Sequence, residues 1–185
     1  MASLGGEHER AAELLERALE IVVDGGARYF EMWVRPDLAR ARAEVGQLVD
    51  ARRHVERCRE IMGLGEKWRG RAGHVELADA AVLSGEGRAD EAGIRFEEAL
   101  RTLRHYKLLA DEAEALHHWG RSLARAGDSA GAVAKLKEAQ AIYRTHGAGT
   151  KWLNGVSSDM RKLQGAGGRR LRPSVTEGVL DAGHQ

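Results

Sequence analysis

The sequence predicts an all-α protein, a right-handed α-solenoid of stacked helical hairpins, and three observations carry that expectation. Only two prolines occur in 185 residues, so long helices meet few interruptions. No short run alternates β-branched or aromatic residues with polar ones between turn clusters, which removes the usual strand signal. The third observation is a repeat. Ala11, Ala51, Ala92 and Ala132 are separated by 40, 41 and 40 positions, a self-similarity that marks stacked supersecondary units.

Four positions after each of these alanines stands a large residue, Leu15, Val55, Phe96 and Leu136, and three beyond those stand Ala18, Cys58, Ala99 and Ala139. Offsets of four and three keep all three residues on one helical face. The small residues let a neighbouring helix approach, and the large one fills the groove between them. Five positions before each alanine come Gly6, Gly46, Gly87 and Gly127, where a turn between two helices calls for φ > 0.

Taken in chain order, residues 7–23 read as the second helix of a truncated repeat, with Gly6 at the inter-helix turn. A unit without its neighbour leaves part of Leu14, Leu15, Leu19 and Val22 uncovered, so this helix is expected to dock a missing domain or a second copy, or to mark a fragment of a longer protein. A first full repeat falls near 32–64, where Leu38, Ala39 and Arg42 form the leading face and Pro36 predicts a kink or a late start. The second repeat, near 73–105, has Val75, Ala80 and Leu83 on that face; the third, near 113–146, has Leu116, Trp119, Gly120 and Leu123. Trp152, Val156, Met160 and Leu163 then predict a capping helix over 150–164, which closes a repeat domain spanning 1–164. From Gly165 to Gln185 periodicity is lost and a disordered tail is expected, its Arg169, Arg170 and Arg172 solvated.

The formal net charge is +1, which favours neither nucleic acid nor a membrane surface as partner. Charge is unevenly placed: Glu7, Glu9, Glu13, Glu16 and Glu20 open the chain, while Arg161, Lys162, Arg169, Arg170 and Arg172 lie near its end. No stretch is long and apolar enough to span a bilayer or serve as a signal peptide, so the expected location is the cytoplasm. The single cysteine, Cys58, has no internal partner and fits a small apolar position better than a nucleophile's.

No cofactor is expected. Gly63-Leu-Gly-Glu-Lys67 and Gly147-Ala-Gly-Thr-Lys151 are glycine-rich but lack the spacing and the strand–helix context of a phosphate-binding loop. His117 and His118 are adjacent and point about 100° apart on a helix, which is poor geometry for chelating one metal. Trp33, Trp68, Trp119 and Trp152 fall near helix starts or connectors, where packing between adjacent repeats suits them.

The residues of the repeat resemble the tetratricopeptide (TPR) family. The match is best over Ala113–His146, with Gly120, Gly127, Ala132, Leu136 and Ala139; Ala80, Gly87, Ala92, Phe96 and Ala99 follow it, then Ala39, Gly46, Ala51, Val55 and Cys58. The period exceeds the family's by about six residues, which the connectors at 63–70 and 103–109 are expected to absorb, and Arg144 stands where the family's closing proline belongs. Stretched repeats of this kind are similar to the C-terminal tails of bacterial ATP-binding signalling proteins, LuxR-type regulators and nucleotide cyclase–ATPase fusions.

The resemblance implies a non-catalytic scaffold for a protein or peptide partner, or else a regulatory, ligand-sensing tail of such a regulator. It also implies a concave groove lined by the first helix of each repeat. Carried over, that groove comprises Trp33, Arg40 and Glu44, then His74, then Glu114, His117, Arg121 and Arg125, with Leu77 and Ser84 beside His74. Arg121 and Arg125 are one turn apart and would fork onto a partner's carboxylate. The asparagine-and-lysine clamp of chaperone-binding TPR proteins is missing.

Overall fold

A computed structural model describes residues 2–65, 68–147 and 149–169, and these are all-helical. Eight helices follow one another: α1 (Ala2–Asp24), α2 (Arg28–Glu44), α3 (Leu48–Gly63), α4 (Arg71–Gly85), α5 (Ala89–His105), α6 (Leu109–Arg125), α7 (Ser129–Thr145) and α8 (Thr150–Arg169). Each packs on the next, and α2, α4, α6 and α8 also pack on one another in a continuous row. The odd-numbered helices touch only even-numbered ones, so they form a second layer. Among the described residues no helix is long and apolar enough to cross a membrane.

The repeat positions explain the packing. Ala51, Val55 and Cys58 on α3, Ala92, Phe96 and Ala99 on α5, and Ala132, Leu136 and Ala139 on α7 are all essentially inaccessible to solvent. Each set packs against the even-numbered helix before it. At Gly120 the approach is so close that a β-carbon would sit 2.8 Å from Leu136 Cγ and 3.1 Å from the Ala132 carbonyl. The turns share one capping pattern. Gly46 donates to the Ala43 carbonyl while Gln47 donates to that of Arg42, and the same pair of bonds recurs at Gly87 and Arg88 and at Gly127 and Asp128. The glycines adopt φ of +82°, +78° and +89° there, as that cap requires.

Several sequence expectations are corrected. Gly6 makes no turn: α1 runs through it from Ala2. Pro36 does not delay α2, which begins at Arg28 and carries Pro36 buried in its interior; the lost backbone donor is one bond in a helix held by Met32, Leu38 and Ala39 in the core. The extra residues of the period are absorbed by a long connector only at 64–70. Between α5 and α6 just Tyr106, Lys107 and Leu108 intervene, and the surplus lies in helices of 17 residues. Finally, α8 continues past Gly165 to Arg169; the rest of the expected tail lies outside the described residues.

The expected exposure on α1 takes a specific form. Leu15 and Leu19 pack partly against Leu38 and Ala41 of α2, with Ala12 fully buried between them. Leu14 is 57% exposed and Ile21 75%. Ala11, Leu15 and Ala18, whose counterparts in the three later repeats are buried, are here only half-buried.

Candidate functional site

The even-numbered helices place all eight sequence-selected residues on one row: Trp33, Arg40 and Glu44 on α2, His74 on α4, and Glu114, His117, Arg121 and Arg125 on α6. The backbones of α2 and α6 do not touch, yet their side chains meet across α4. These residues share one face of the row, and α4 contributes the small buried residues Ala78, Ala80 and Ala81 to the packing with its neighbours.

Two ion-pair clusters span the face. In the first, Arg40 donates to Glu114 at 2.7 Å and to Asp37 at 2.7 Å. In the second, Arg121 donates to Glu44 Oε2 at 2.9 Å and Arg125 to the same atom at 3.4 Å. The arginine pair expected to fork onto a partner's carboxylate is therefore engaged by the chain's own Glu44, brought from 77 residues away. Arg125 remains 46% exposed and keeps donors for another acceptor.

His117 and His118 diverge as their adjacency requires. His117 Nε2 lies 3.0 Å from Asp159 Oδ2 on α8. His118 turns the other way, its ring nitrogens 3.8 Å from Glu44 and from Glu114. Burial, reinforced by the charges of Arg40 and Arg121, holds the His118 imidazole below its ordinary pKa against the pull of Glu114. No three His, Cys, Asp or Glu side chains converge as a metal site among the described residues.

The carboxylates are tuned by the same contacts. Burial would raise Glu44 and Glu114, but Arg121, Arg125 and His118 outweigh it at Glu44, and Arg40 and His118 outweigh it at Glu114, so both sit below the usual carboxylate range. At Asp159 burial is likewise overcome, by hydrogen bonds from His117 and Lys162 and by the charges of Lys162 and Arg121, and its pKa falls to about 2. These acids stay ionised and paired across the neutral range.

Trp33 and His74 form the other end of the face. The Arg71 guanidinium lies 3.7 Å from the centre of the Trp33 ring and its Nη2 is 2.7 Å from His74 Nε2, which is also 3.1 Å from Asp111 Oδ1. Trp33 is thus a half-exposed aromatic already covered by a cation.

Two clefts open along α6. One, of ≈ 240 Å³, has Gly120, Ala124, Leu136 and Leu163 on its floor and Arg121, Arg125, Asp159 and Lys162 around it. The other, of ≈ 360 Å³, lies where the starts of α6 and α8 meet the end of α7 and is lined by Asp111, Glu114, Ile142, Tyr143, His146 and Trp152, among others. Sequence reasoning missed Asp111, Tyr143, Asp159 and Lys162. Asp159 and Lys162 at i, i+3 on the capping helix were a legible signal, and so was Tyr143, which extends the spacing of Ala132, Leu136 and Ala139 by four and so shares the face turned towards α6.

Away from this face, Asp79 of α4 is buried and accepts from Arg52 and Arg59 of α3, the latter at 2.7 Å, with Arg95 Nε of α5 at 3.1 Å. Burial pushes the Cys58 thiol up to about 12, the behaviour of a structural residue.

No family model and no curated protein matches this chain.

Proposed function

We propose that the chain is a non-catalytic scaffold, a solenoid of tetratricopeptide-type repeats whose concave face holds a protein or peptide partner. The observation that supports this reading most is the apolar cleft with a cationic rim between α6 and α8. Its floor of Ala124, Leu136 and Leu163 suits an apolar side chain, while Arg125 and Lys162, paired to Glu44 and Asp159 but 46% and 60% exposed, keep further donors for a carboxylate beside it. The other acids and bases of the face are spent on holding α2, α6 and α8 together, which suits a preformed binding surface better than acid–base chemistry.

The test is affinity capture with wild type, with Arg121→Ala/Arg125→Ala, with Arg125→Glu/Lys162→Glu, and with Lys137→Glu on the exposed side of α7. A partner retained by the α7 variant and lost by the two groove variants supports the reading. Identical partners for all four overturn it.

A second reading, a regulatory tail of a larger signalling protein, is favoured by α1. Its half-buried Ala11, Leu15 and Ala18 and exposed Leu14 and Ile21 form a face for an adjoining regulator domain. Leu14→Lys/Ile21→Lys should then impair regulation in the full-length regulator while leaving the repeats folded; unimpaired regulation would remove that reading.

A further inference from the structure

We propose that the cleft formed by the starts of α6 and α8 and the end of α7 receives a guanidinium side chain of the partner. Trp152 supplies the stacking face, Asp111 and Glu114 the opposing charge, and Tyr143 a hydroxyl acceptor. The inference rests on the partner-holding reading above and gives that partner a chemistry and a direction.

The first ground is Tyr143. It is 4% exposed, it lines the cleft, and its hydroxyl is buried without a hydrogen-bond partner among the described residues. An orphaned hydroxyl in a protein interior is destabilising, and a donor arriving in the cleft would relieve it. Burial and the nearby charges of Glu114 and Asp111 raise the Tyr143 pKa, so the phenol stays neutral and keeps its acceptor lone pairs.

The second ground is the tryptophans. Trp33 carries Arg71 over its ring at 3.7 Å, and Trp119 carries Lys135 at 4.4 Å. Trp68 is buried. Trp152 stacks one face on Tyr143 and is 46% exposed, with no cation over its ring among the described residues. A cation completes on Trp152 what the chain completes for itself at the other two.

The third ground is charge and shape. Glu114 already accepts from Arg40, and Asp111 faces His74 Nε2, but a carboxylate has several lone-pair sites and Asp111 is a third exposed. A guanidinium is planar, stacks on indole and offers several donors at once, whereas an ammonium cannot stack and fork together. Asp111 and Arg125 lie at opposite ends of α6, about 21 Å apart at the helical rise. A partner with its basic residue over Asp111 and its acidic residue at Arg125 therefore lies along α6 in one direction only.

The experiment uses the whole protein and follows indole N–H signals by two-dimensional NMR, with Trp152 assigned by its loss in Trp152→Phe. The probes are N-acetyl-arginine amide and the neutral isostere N-acetyl-citrulline amide. Expected is a saturable shift of the Trp152 signal with arginine at a Kd on the order of 1–10 mM, no comparable shift with citrulline, and a roughly tenfold weaker response in Asp111→Asn. Equal response to both probes, no response, or undiminished binding by Asp111→Asn overturns the proposal. If the arginine probe fails while Arg125→Glu/Lys162→Glu still loses the partner, the guanidinium subsite is wrong and the partner-holding face stands.

Discussion

Arg40 on α2 and Glu114 on α6 are 74 residues apart in sequence and meet at 2.7 Å across α4. The Arg40 side chain is 12% exposed and that of Glu114 25%, so the pair is held largely away from water. Removing one member of such a pair leaves the other desolvated and uncompensated. Arg40→Ala is expected to lower stability by about 2–4 kcal/mol in urea unfolding. A loss under ~0.5 kcal/mol would mean that the two residues are paired with water instead.

Asp79 holds three helices. With arginines from α3 and α5 around a carboxylate that is 3% exposed, Asp79→Ala leaves cations facing an apolar gap. The expected cost is ~3–5 kcal/mol, and Asp79→Asn, which keeps an acceptor, should cost less. Equal losses for the two variants would show that packing, not charge, carries the contact.

Cys58 should resist modification. A thiol with its pKa pushed up to about 12 holds almost no thiolate at neutral pH and is fully buried besides. Ellman's reagent is expected to label it only as fast as the protein opens, and completely in urea. Rapid native labelling would contradict the burial of α3.

Stability should fall with acid in two steps. Burial, more than any other cause, depresses His54 and His118 below 6.5, so the folded state prefers them neutral; their contribution is complete above pH 6.5 and is lost as pH falls from there. Glu44, Glu114 and Asp159 are depressed carboxyls, so their contribution is complete above about pH 4.5 and is lost as pH falls towards and below the Asp159 value of about 2. Urea midpoints between pH 7 and 3 test this, with His118→Asn expected to flatten the upper step. A midpoint that rises from pH 7 to 5 would reverse the assigned sign.

Two backbone positions should respond in opposite directions. Gly120→Ala drives a β-carbon into Leu136 and the Ala132 carbonyl and should cost about 1–3 kcal/mol. Lys107 occupies a helix-capping position at φ +54°, the place held by glycine in the other hairpin turns, and Lys107→Gly should stabilise by roughly 0.5–1 kcal/mol in thermal unfolding. A stabilising Gly120→Ala would show that α6 and α7 have slack between them.

Much of this was legible in the sequence because it is local or periodic. The spacing of Ala92, Phe96 and Ala99 fixes a helical face whatever that face meets, and Gly87 marks a left-handed cap because few other residues tolerate one. Lys107 escaped the same reasoning, since a lysine can be held at positive φ when the helices on either side pack well enough to offset the strain. Gly6 misled it for the converse reason: a glycine permits a turn without compelling one, and α1 runs through Gly6 to Ala2.

By itself, then, the sequence determined that the protein is all-α, the order of its helices and the buried faces of α3, α5 and α7; the placing of Arg40, Glu44, Glu114, Arg121 and Arg125 along one row was what the family resemblance implied. Only the tertiary structure decided what those residues do there. Helical periodicity sets which way a side chain points, but not what lies at the end of it. Whether Arg121 meets a partner's carboxylate or Glu44 depends on how closely α2 and α6 approach across α4, and that distance is the sum of many packing contacts that no local pattern encodes.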